Sequence, residues 1–285
     1  MGIEPLSLAR DAARDAGAFL RDVERTLDKP VRPEKGESLK VGLDLGTASV
    51  VLVVLGEGYR PLAAAREFAQ VVKDGLVVDF NQARLITAAL KRRLEDVLGT
   101  ELAETAIAVP PGTGSRDVAT HTYVASAAGL EVTGVMDEPS AANLVLGLQN
   151  GAIADIGGGT TGVSVLRDGK VIHTFDEPTG GIHVSLVLAG HNRISFEEAE
   201  ALKLDPAKSR ENLPVIAPVL QKMGTIIAKG ISGYECEQIV LVGGTSATAG
   251  IDRIIGMETG KNVSVSPVPI LVTPVGIALS FGKEN

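Results

Sequence analysis

Two strings of the same type recur along the chain, and each could take part in binding phosphate. One is Asp44-Leu45-Gly46-Thr47, and the other is Asp155-Ile156-Gly157-Gly158-Gly159-Thr160-Thr161. Each stands between two apolar runs, so each predicts a β-hairpin whose turn presents a carboxylate, a hydroxyl and successive backbone amides. Amides arranged in this way can surround phosphate oxygens as a nest.

Two such hairpins facing each other could clasp a polyphosphate. Asp44 and Asp155 would then both meet the phosphate chain, which requires a cation between them because all of these groups are negative. Mg²⁺ suits a site that offers only oxygen ligands, and it keeps most of its waters when bound. The alternative is two ordinary β-turns in which the aspartates serve as turn residues. The repetition of the string favours phosphate binding.

Other sites that the sequence could encode fail on context or spacing. Gly157, Gly159 and Gly162 match G-x-G-x-x-G, but a strand-like run at 163–166 follows where a dinucleotide fold needs a helix. The Walker P-loop string and the G-x-S-x-G string of serine hydrolases are absent. The four histidines have no H-E-x-x-H spacing, and Cys236, just before a predicted strand, is expected to be structural rather than nucleophilic.

Composition excludes several classes of protein. The 27 Lys and Arg residues against 35 Asp and Glu residues give a net charge of −8, which disfavours a non-specific nucleic-acid binder. A single cysteine rules out an intramolecular disulfide framework and a Cys-rich zinc site. No apolar run approaches the roughly 20 residues that cross a bilayer, and residues 1–30 lack the apolar stretch of a secretory signal. We therefore expect a cytoplasmic protein without nucleic-acid or membrane partners.

The elements that must position the two turns repeat between the halves of the chain. Residues 152–157 align with residues 41–46, including the polar positions, which suggests two related α/β domains. Hydrophobic periodicity predicts the other elements. Predicted strands cover 40–43, 48–55, 105–109, 132–136, 163–166 and 238–242; predicted helices cover 81–98, 116–128, 140–148, 215–231 and 275–281, and two more begin at 195 and about 247.

The first segment predicts an amphipathic helix followed by a linker. Its apolar residues follow a 3-4 spacing that places them on one face: Leu6, Ala9, Ala13, Ala16, Leu20, Val23 and Leu27. Lys29-Pro30 ends the helix, and residues 31–38 are typical of a polar linker. The helix could pack on its own domain, or it could be a detachable arm that docks on a partner or self-associates.

Four strings stand in the order in which they occur in the actin-like ATPase superfamily, which includes actin, DnaK-type chaperones, MreB and sugar kinases. They are residues 41–47 (VGLDLGT), 137–142 (DEPSAA), 155–161 (DIGGGTT) and 240–245 (VLVGGT). Together with residues 274–278 (PVGIA) they resemble the five nucleotide-site motifs of that superfamily, spanning residues 39–282. Residues 72–77 (VKDGLV), 110–113 (PPGT) and 194–200 (ISFEEAE) are more specifically similar to the ethanolamine-utilization protein J (EutJ) family.

This resemblance implies an α/β chain with the two-domain actin-like ATPase fold, built from duplicated ribonuclease-H-like domains, with an N-terminal helical arm. The expected division is an amphipathic arm and linker at 1–38, domain I at 39–150, domain II at 151–270 and a C-terminal helix at 271–285 that returns to domain I. The expected ligands are ATP or ADP with Mg²⁺.

The resemblance also assigns roles to residues. Two aspartates would hold Mg²⁺ through water and the turn amides would hold the phosphates: Asp44 and Asp155, with Gly46, Thr47, Gly157, Gly158, Gly159, Thr160 and Thr161. Glu138 resembles the superfamily's water-orienting glutamate, since a carboxylate just before a proline sits in extended backbone near a helix start and could align an attacking water with the γ-phosphate. The alternative is a helix N-terminal carboxylate favoured by the dipole.

Further residues would contact the nucleoside. Glu200 and Lys203 lie three apart on one helix face, and DnaK-like relatives hold adenosine with a Glu and a Lys at this spacing. Alternatively, a capping box at residues 195–198 begins a surface helix that these charges merely decorate. Two glycine-rich helix starts complete the expected site, one lying against the purine and one near the terminal phosphate: Gly243, Gly244, Thr245 and Ser246, and Gly180 with Gly181.

The implied function is an ATP-binding, ATP-hydrolysing chaperone-like or assembly factor of the ethanolamine-utilization bacterial microcompartment, whose arm contacts microcompartment enzymes or shell proteins. DnaK-type chaperones continue into a peptide-binding domain, whereas this sequence ends at Asn285, which argues against substrate refolding of their kind. Their catalytic lysine has no secure counterpart, so slow hydrolysis or nucleotide binding alone stays open. One alternative is a nucleotide-dependent polymerising scaffold like MreB. A small-molecule kinase ranks last, because no aspartate stands out as the required base.

Overall fold

The computed structural model describes residues 8–73 and 75–282, with side chains from residue 16 onward. Within these residues the chain divides into two compact units. Unit 1 contains the described residues up to Leu148 and from Leu271 onward, and unit 2 contains Gln149–Ile270.

Helices and strands alternate through most of both units. In chain order the elements are α1 (Leu8–Arg25), β1 (Lys40–Leu45), β2 (Ser49–Leu55), β3 (Pro61–Phe68), β4 (Val72–Lys73), β5 (Leu76–Val77), α2 (Phe80–Leu98), β6 (Glu104–Val109), α3 (Ser115–Ala127), β7 (Glu131–Asp137), α4 (Glu138–Leu146), β8 (Gly151–Ile156), β9 (Thr161–Arg167), β10 (Lys170–Glu177), α5 (Gly181–Asn192), α6 (Phe196–Leu204), α7 (Ser209–Gly230), β11 (Gln238–Val242), α8 (Ile251–Thr259), β12 (Asn262–Val265) and α9 (Val272–Ser280).

Each unit contains a five-stranded mixed sheet, and the two sheets have the same strand order. The order is β3-β2-β1-β6-β7 in unit 1 and β10-β9-β8-β11-β12 in unit 2. In each sheet the hairpin strands pair antiparallel, whereas the later strands join the first hairpin strand in parallel. The duplication suggested by the alignment of residues 41–46 with 152–157 is therefore a duplication of topology.

Strand β2 of the unit 1 sheet is buried along nearly its whole length. Residues 50–55 of β2 are each at most 1% exposed, as expected for a strand whose two faces are both covered. Helix α9 lies directly on β1, since a Cβ on Gly42 would come 2.8 Å from the Pro274 carbonyl oxygen. Helix α4 packs on α9 just as closely, because a Cβ on Gly276 would overlap the Ala141 carbonyl. This stack fixes the helix that begins at Glu138.

The second half of α1 packs on unit 1. Leu20 and Val23 are completely buried, and beyond the helix the Val31 N–H donates to the Leu62 carbonyl of β3 (2.7 Å). Residues 16–38 thus adopt the packed arrangement, one of the two alternatives that the amphipathic pattern predicts. The predicted helix start at Leu6 lies outside the described residues.

The unit 2 core lies between its sheet and three helices. Val184 and Leu188 of α5, Ile227 of α7 and Ile255 of α8 are all completely buried and belong to one apolar cluster with residues of β8, β9 and β11. This packing holds α5 against the hairpin that carries Asp155.

The predicted elements agree with most of the observed ones, and the differences have local causes. β3, β10, β12 and the β4–β5 hairpin were not predicted; β10 is an edge strand whose residues alternate between exposed and half-buried. The helix expected from about 247 begins at Ile251, because a short 3₁₀ turn at Gly244–Ala247 precedes it. The helix expected at 140–148 begins at Glu138. No helix in the described part of the chain is long and apolar enough to cross a membrane.

Candidate functional site

A tight turn closes the β8–β9 hairpin of unit 2 and leaves consecutive backbone amides without a hydrogen-bond partner in the described part of the chain. The Gly157 N–H donates to the Thr160 carbonyl (3.1 Å), which holds the two ends of the turn together. The N–H groups of the next three residues, 158–160, donate to no other residue in the described part of the chain. Three consecutive amides on one tight turn can converge on an anion.

Helix α5 begins against this turn. The N–H groups of Gly181 and Ile182 donate to the Gly157 and Gly158 carbonyls, at 2.9 and 2.8 Å. A Cβ on Gly180 would come 2.6 Å from the Gly158 carbonyl oxygen, so a larger residue would displace the turn. The predicted pair Gly180-Gly181 therefore does bring a helix N-terminus to the glycine turn, and its first amides brace the turn's carbonyls.

Two buried threonine hydroxyls fix the turn from other directions. The Thr245 Oγ1 donates to the Gly157 carbonyl (2.8 Å), and the Thr161 Oγ1 donates to the Thr179 carbonyl (2.6 Å). Both side chains are buried. Thr245 was predicted to contact a purine through its backbone; its side chain connects the loop after β11 to the glycine turn.

The loop after β11, residues 243–246, supports Asp155 from behind. Gly243 has a φ of +85°, and a Cβ there would overlap the Asp155 Oδ1 and come 2.6 Å from the Ile156 carbonyl oxygen. Gly244 begins the 3₁₀ turn, and the buried Ser246 hydroxyl donates to the Val242 carbonyl (2.6 Å). Glycine is required at 243 for both its conformation and its approach to the aspartate.

Glu200 and Lys203 meet on α6, as their spacing predicts. The Lys203 Nζ lies 2.8 and 2.9 Å from the two carboxylate oxygens of Glu200 and 3.1 Å from the Ser185 Oγ on α5. The Lys203 side chain is 8% exposed and that of Glu200 31%. The predicted capping box is also present, because Ser195 and Glu198 exchange hydrogen bonds of 2.8 and 3.2 Å. The pair is thus built into the α5–α6 contact and is not surface decoration.

Asp44 of unit 1 has the same local setting as Asp155 of unit 2. Each is the next-to-last residue of the first hairpin strand, and each is half-buried. The Gly46 N–H donates to the Ser49 carbonyl (3.0 Å), which is the same bond, two residues after the aspartate, that closes the unit 2 turn. Thr47 lies in this turn and is half-exposed.

Glu138 is the first residue of α4 and follows β7 directly. The helix cap is supplied by its neighbour, because the Asp137 side chain accepts a bond from the Ser140 N–H (2.9 Å). Pro139 occupies the first turn, where its missing N–H costs nothing. The half-buried Glu138 carboxylate is therefore not the cap, and it lies in the first turn, where the helix dipole favours a carboxylate.

Cys236 and His121, which the sequence does not indicate as functional, have structural roles. The buried Cys236 thiol donates to the Gln238 carbonyl (3.3 Å), and burial raises its pKa, which makes it a poor nucleophile. His121 is buried and bonds to the Asp117 carbonyl (3.0 Å). Among the described residues there is no group of three or more His, Cys, Asp or Glu side chains that could hold a metal ion.

Ser185 is the residue near the site that sequence reasoning missed. It is completely buried on α5 and contacts both Glu200 and Lys203. The sequence does contain a signal for Ser185, because this residue shares a helix face with Gly181 and Leu188. A hydroxyl on a buried helix face needs a hydrogen-bond partner. The sequence does not reveal which residues supply that partner.

Comparison with known proteins agrees with this architecture. The family model of the cell division protein FtsA matches residues 152–276. The crystal structure of MreB5 of Spiroplasma citri bound to ADP matches with a TM-score of 0.69 at 17% identity, covering 85% of this chain and 95% of that one. The repeated sheets and the paired aspartate-bearing turns therefore belong to the actin-like ATPase fold.

Two further matches extend over most of the chain. Ethanolamine utilization protein EutJ of Salmonella typhimurium (strain LT2) is 39% identical over 243 residues, which is 85% of this chain and 85% of that protein. The crystal structure of EutJ from Carboxydothermus hydrogenoformans matches with a TM-score of 0.88 at 44% identity, covering 94% of this chain and 99% of that one. The chain belongs to the ethanolamine utilization protein EutJ family.

Proposed function

We propose that this protein binds ATP with Mg²⁺, hydrolyses it slowly, and uses the nucleotide to control an assembly or chaperone-like step on the ethanolamine-utilization microcompartment. The observation that carries the proposal is the unit 2 turn: three unengaged amides at 158–160 directly follow the Asp155 strand and are braced by α5 and by Thr245. A rigid nest of this kind binds phosphate oxygens without reorganising.

The metal ligands in this proposal are Asp44 and Asp155, one from each unit. Both carboxylates end a central strand next to a phosphate-binding turn, and an oxygen-only donor set fits Mg²⁺. The contact of Gly243 with Asp155 supports the fit, because the absent Cβ leaves the space that one carboxylate oxygen occupies. When bound, Mg²⁺ supplies positive charge beside the phosphates.

The nucleoside contacts are Glu200, Lys203 and the loop 243–246. Glu200 keeps about a third of its side chain exposed while Lys203 neutralises its charge, so its carboxylate is a usable hydrogen-bond acceptor for a ligand. The loop 243–246 carries no bulky side chain, which suits the approach of a flat base to the backbone.

Hydrolysis is assigned to Glu138. Its carboxylate accepts a hydrogen bond from the attacking water and aligns the water oxygen with the γ-phosphorus, opposite the bond to ADP that breaks. The residue that caps α4 is its neighbour Asp137. A catalytic lysine is not assigned, so we expect slow turnover.

The assembly role rests on the family to which the chain belongs, and the proposed partners are microcompartment enzymes or shell proteins that contact the N-terminal arm. Docking through Leu20 and Val23 would require their release from unit 1, where both are completely buried. A polymerising scaffold is the second candidate, favoured by the fold match to MreB5. Sedimentation with and without ATP separates the two, since only a scaffold should form nucleotide-dependent polymers.

The first test is calorimetric titration of Mg-ATP into the wild type, Asp155→Asn and Asp168→Asn. Asp168 is an exposed residue in the turn between β9 and β10, at the opposite end of β9 from the glycine turn, so it serves as a control in the same sheet. We expect Asp155→Asn to weaken Mg-ATP about tenfold or more, and Asp168→Asn to leave it unchanged. Without Mg²⁺, Asp155→Asn should bind ATP more tightly than the wild type, because the Asp155 carboxylate then repels the phosphates. A wild type that binds no nucleotide contradicts the proposal.

A further inference from the structure

A completely buried serine lies beneath the Glu200–Lys203 pair. The Ser185 Oγ lies 3.1 Å from the Lys203 Nζ and 3.2 Å from the Gly181 carbonyl oxygen, and it also makes a short hydrogen bond with the Glu200 Oε1. A hydroxyl has one proton to donate, and a carboxylate is a stronger acceptor than a backbone carbonyl. Ser185 therefore donates to Glu200 and accepts from Lys203.

The lysine has no donor left for a ligand. Its ammonium has three N–H groups, which face both Glu200 oxygens at 2.8 and 2.9 Å, the Ser185 Oγ at 3.1 Å and the Gly181 carbonyl at 3.5 Å. The Lys203 side chain is 8% exposed, whereas that of Glu200 is 31% exposed. Of these three side chains, Glu200 is by far the most exposed to solvent.

The same cluster adjoins the glycine turn. Gly181, whose carbonyl faces both Ser185 and Lys203, donates its N–H to the Gly157 carbonyl (2.9 Å). A change at Ser185 could therefore act on Glu200, on the turn, or on both. A useful experiment must distinguish these routes.

We propose that Ser185 is a positioning residue for nucleoside binding. Its hydroxyl is buried away from any ligand and fixes both the rotamer of Glu200 and the position of the Lys203 ammonium. Of these three residues, Glu200 alone contacts the nucleoside. This inference rests on the proposed function. It assigns Lys203 to holding Glu200 rather than to touching the ligand. Ser185→Ala then leaves Lys203 without one acceptor and frees the Glu200 carboxylate to adopt other rotamers, while the glycine turn keeps all of its bonds.

The test compares Mg-ATP with Mg-tripolyphosphate, which carries the phosphates but no nucleoside. Binding of both is measured by calorimetry for the wild type, Ser185→Ala, Glu200→Gln, the double variant and Thr87→Val. Thr87 is a matched control in unit 1, because it is also a completely buried helical hydroxyl, and its hydroxyl donates to the Ala83 carbonyl of its own helix (2.8 Å).

We expect Ser185→Ala to weaken Mg-ATP about tenfold, the loss of one hydrogen bond to a charged group, and to leave Mg-tripolyphosphate within about twofold. The double variant should bind Mg-ATP no more weakly than Glu200→Gln, because Ser185 acts through Glu200. Thr87→Val should bind both ligands like the wild type.

Three results would overturn the inference. Unchanged Mg-ATP binding by Ser185→Ala means that the hydroxyl positions nothing, and equal losses for both ligands mean that it only supports the fold around the turn. Additive losses in the double variant mean that Ser185 and Glu200 act separately. A wild type that binds neither ligand refutes the proposed function itself, which is distinct from failure at Ser185 alone.

Discussion

Gly243 lies directly behind Asp155, so close that a Cβ on the glycine would overlap the aspartate Oδ1. The residue that follows β11 thereby limits where the carboxylate of β8 can lie. This relationship predicts that Gly243→Ala damages the fold and displaces Asp155, the proposed metal ligand, together. The backbone of Gly243, with φ +85° and ψ 155°, lies in a region that is essentially restricted to glycine and costs a residue with a Cβ about 1–3 kcal/mol, and the overlap adds about 1–3 kcal/mol of strain.

Gly260→Ala separates these two contributions. Gly260 also has a positive φ, +66°, but nothing lies within 4 Å of its missing Cβ. We expect denaturant unfolding to show a loss of about 1 kcal/mol for Gly260→Ala, from conformation alone, and a clearly larger loss for Gly243→Ala. Equal losses for the two variants would show that the contact with Asp155 is unimportant.

The packing of α4 on α9 makes a second prediction. A Cβ on Gly276 would overlap the Ala141 carbonyl, so Gly276→Ala must push the two helices apart and should lower the free energy of unfolding by about 3 kcal/mol. Gly190→Ala is the control, because this helical glycine on α5 has open space around it and alanine there should stabilise by up to about 1 kcal/mol. Thermal unfolding would test this, because the Tm should fall for Gly276→Ala and rise for Gly190→Ala.

The Glu37 carboxylate predicts a pH dependence for the segment after α1. The Glu34 N–H that donates to it lowers its pKa, opposed by burial, and the Glu57 N–H and the Arg60 guanidinium lower the pKa further. A lowered carboxyl pKa stabilises the folded state at neutral pH, and this stabilisation is lost as the pH falls through the lowered pKa.

Glu37→Gln should therefore increase limited proteolysis of the segment after α1, residues 26–39, at pH 7, and the difference from the wild type should close as the pH falls through the lowered pKa of Glu37, where its carboxylate becomes protonated. Glu34→Gln is the control, since that substitution keeps the backbone N–H that Glu37 accepts from. If the difference in proteolysis between Glu37→Gln and the wild type is as large in acid as at pH 7, the Glu37 carboxylate is not the source of the pH dependence.

Much of the fold could be predicted because local chemistry determines it. The hairpins at Asp44 and Asp155 combine apolar β-branched strands with glycine turns, and Ser195 with Glu198 forms the capping box that its spacing indicates. Such features depend on residues only a few positions apart. These local features predicted the two turns, helix α6 and the repeat that relates the two units.

The remainder depends on contacts between residues distant in the sequence. The edge strand β10 mixes Lys170, His173 and Asp176 with apolar residues and has a bulge between 171 and 173, so its alternation is hidden. The bond from Thr245 to Gly157 joins positions 88 residues apart, and Ser185 meets Glu200 only because two helices pack. A single sequence carries no period or motif for these pairings.

Glu138 provides the last prediction, which tests hydrolysis apart from binding. Glu138→Gln keeps the size of a side chain that follows β7 directly and removes only its charge, while Asp137 still caps α4 through the Ser140 N–H. We expect Mg-ATP affinity to stay within about threefold and phosphate release to fall about a hundredfold or more, because an uncharged amide polarises water poorly. Glu131→Gln, at the exposed start of the same strand, is the matched control and should keep both activities. If both glutamate variants release phosphate at the wild-type rate, the attacking water is oriented by another residue; if Glu138→Gln loses binding as well, the carboxylate supports the site rather than the reaction.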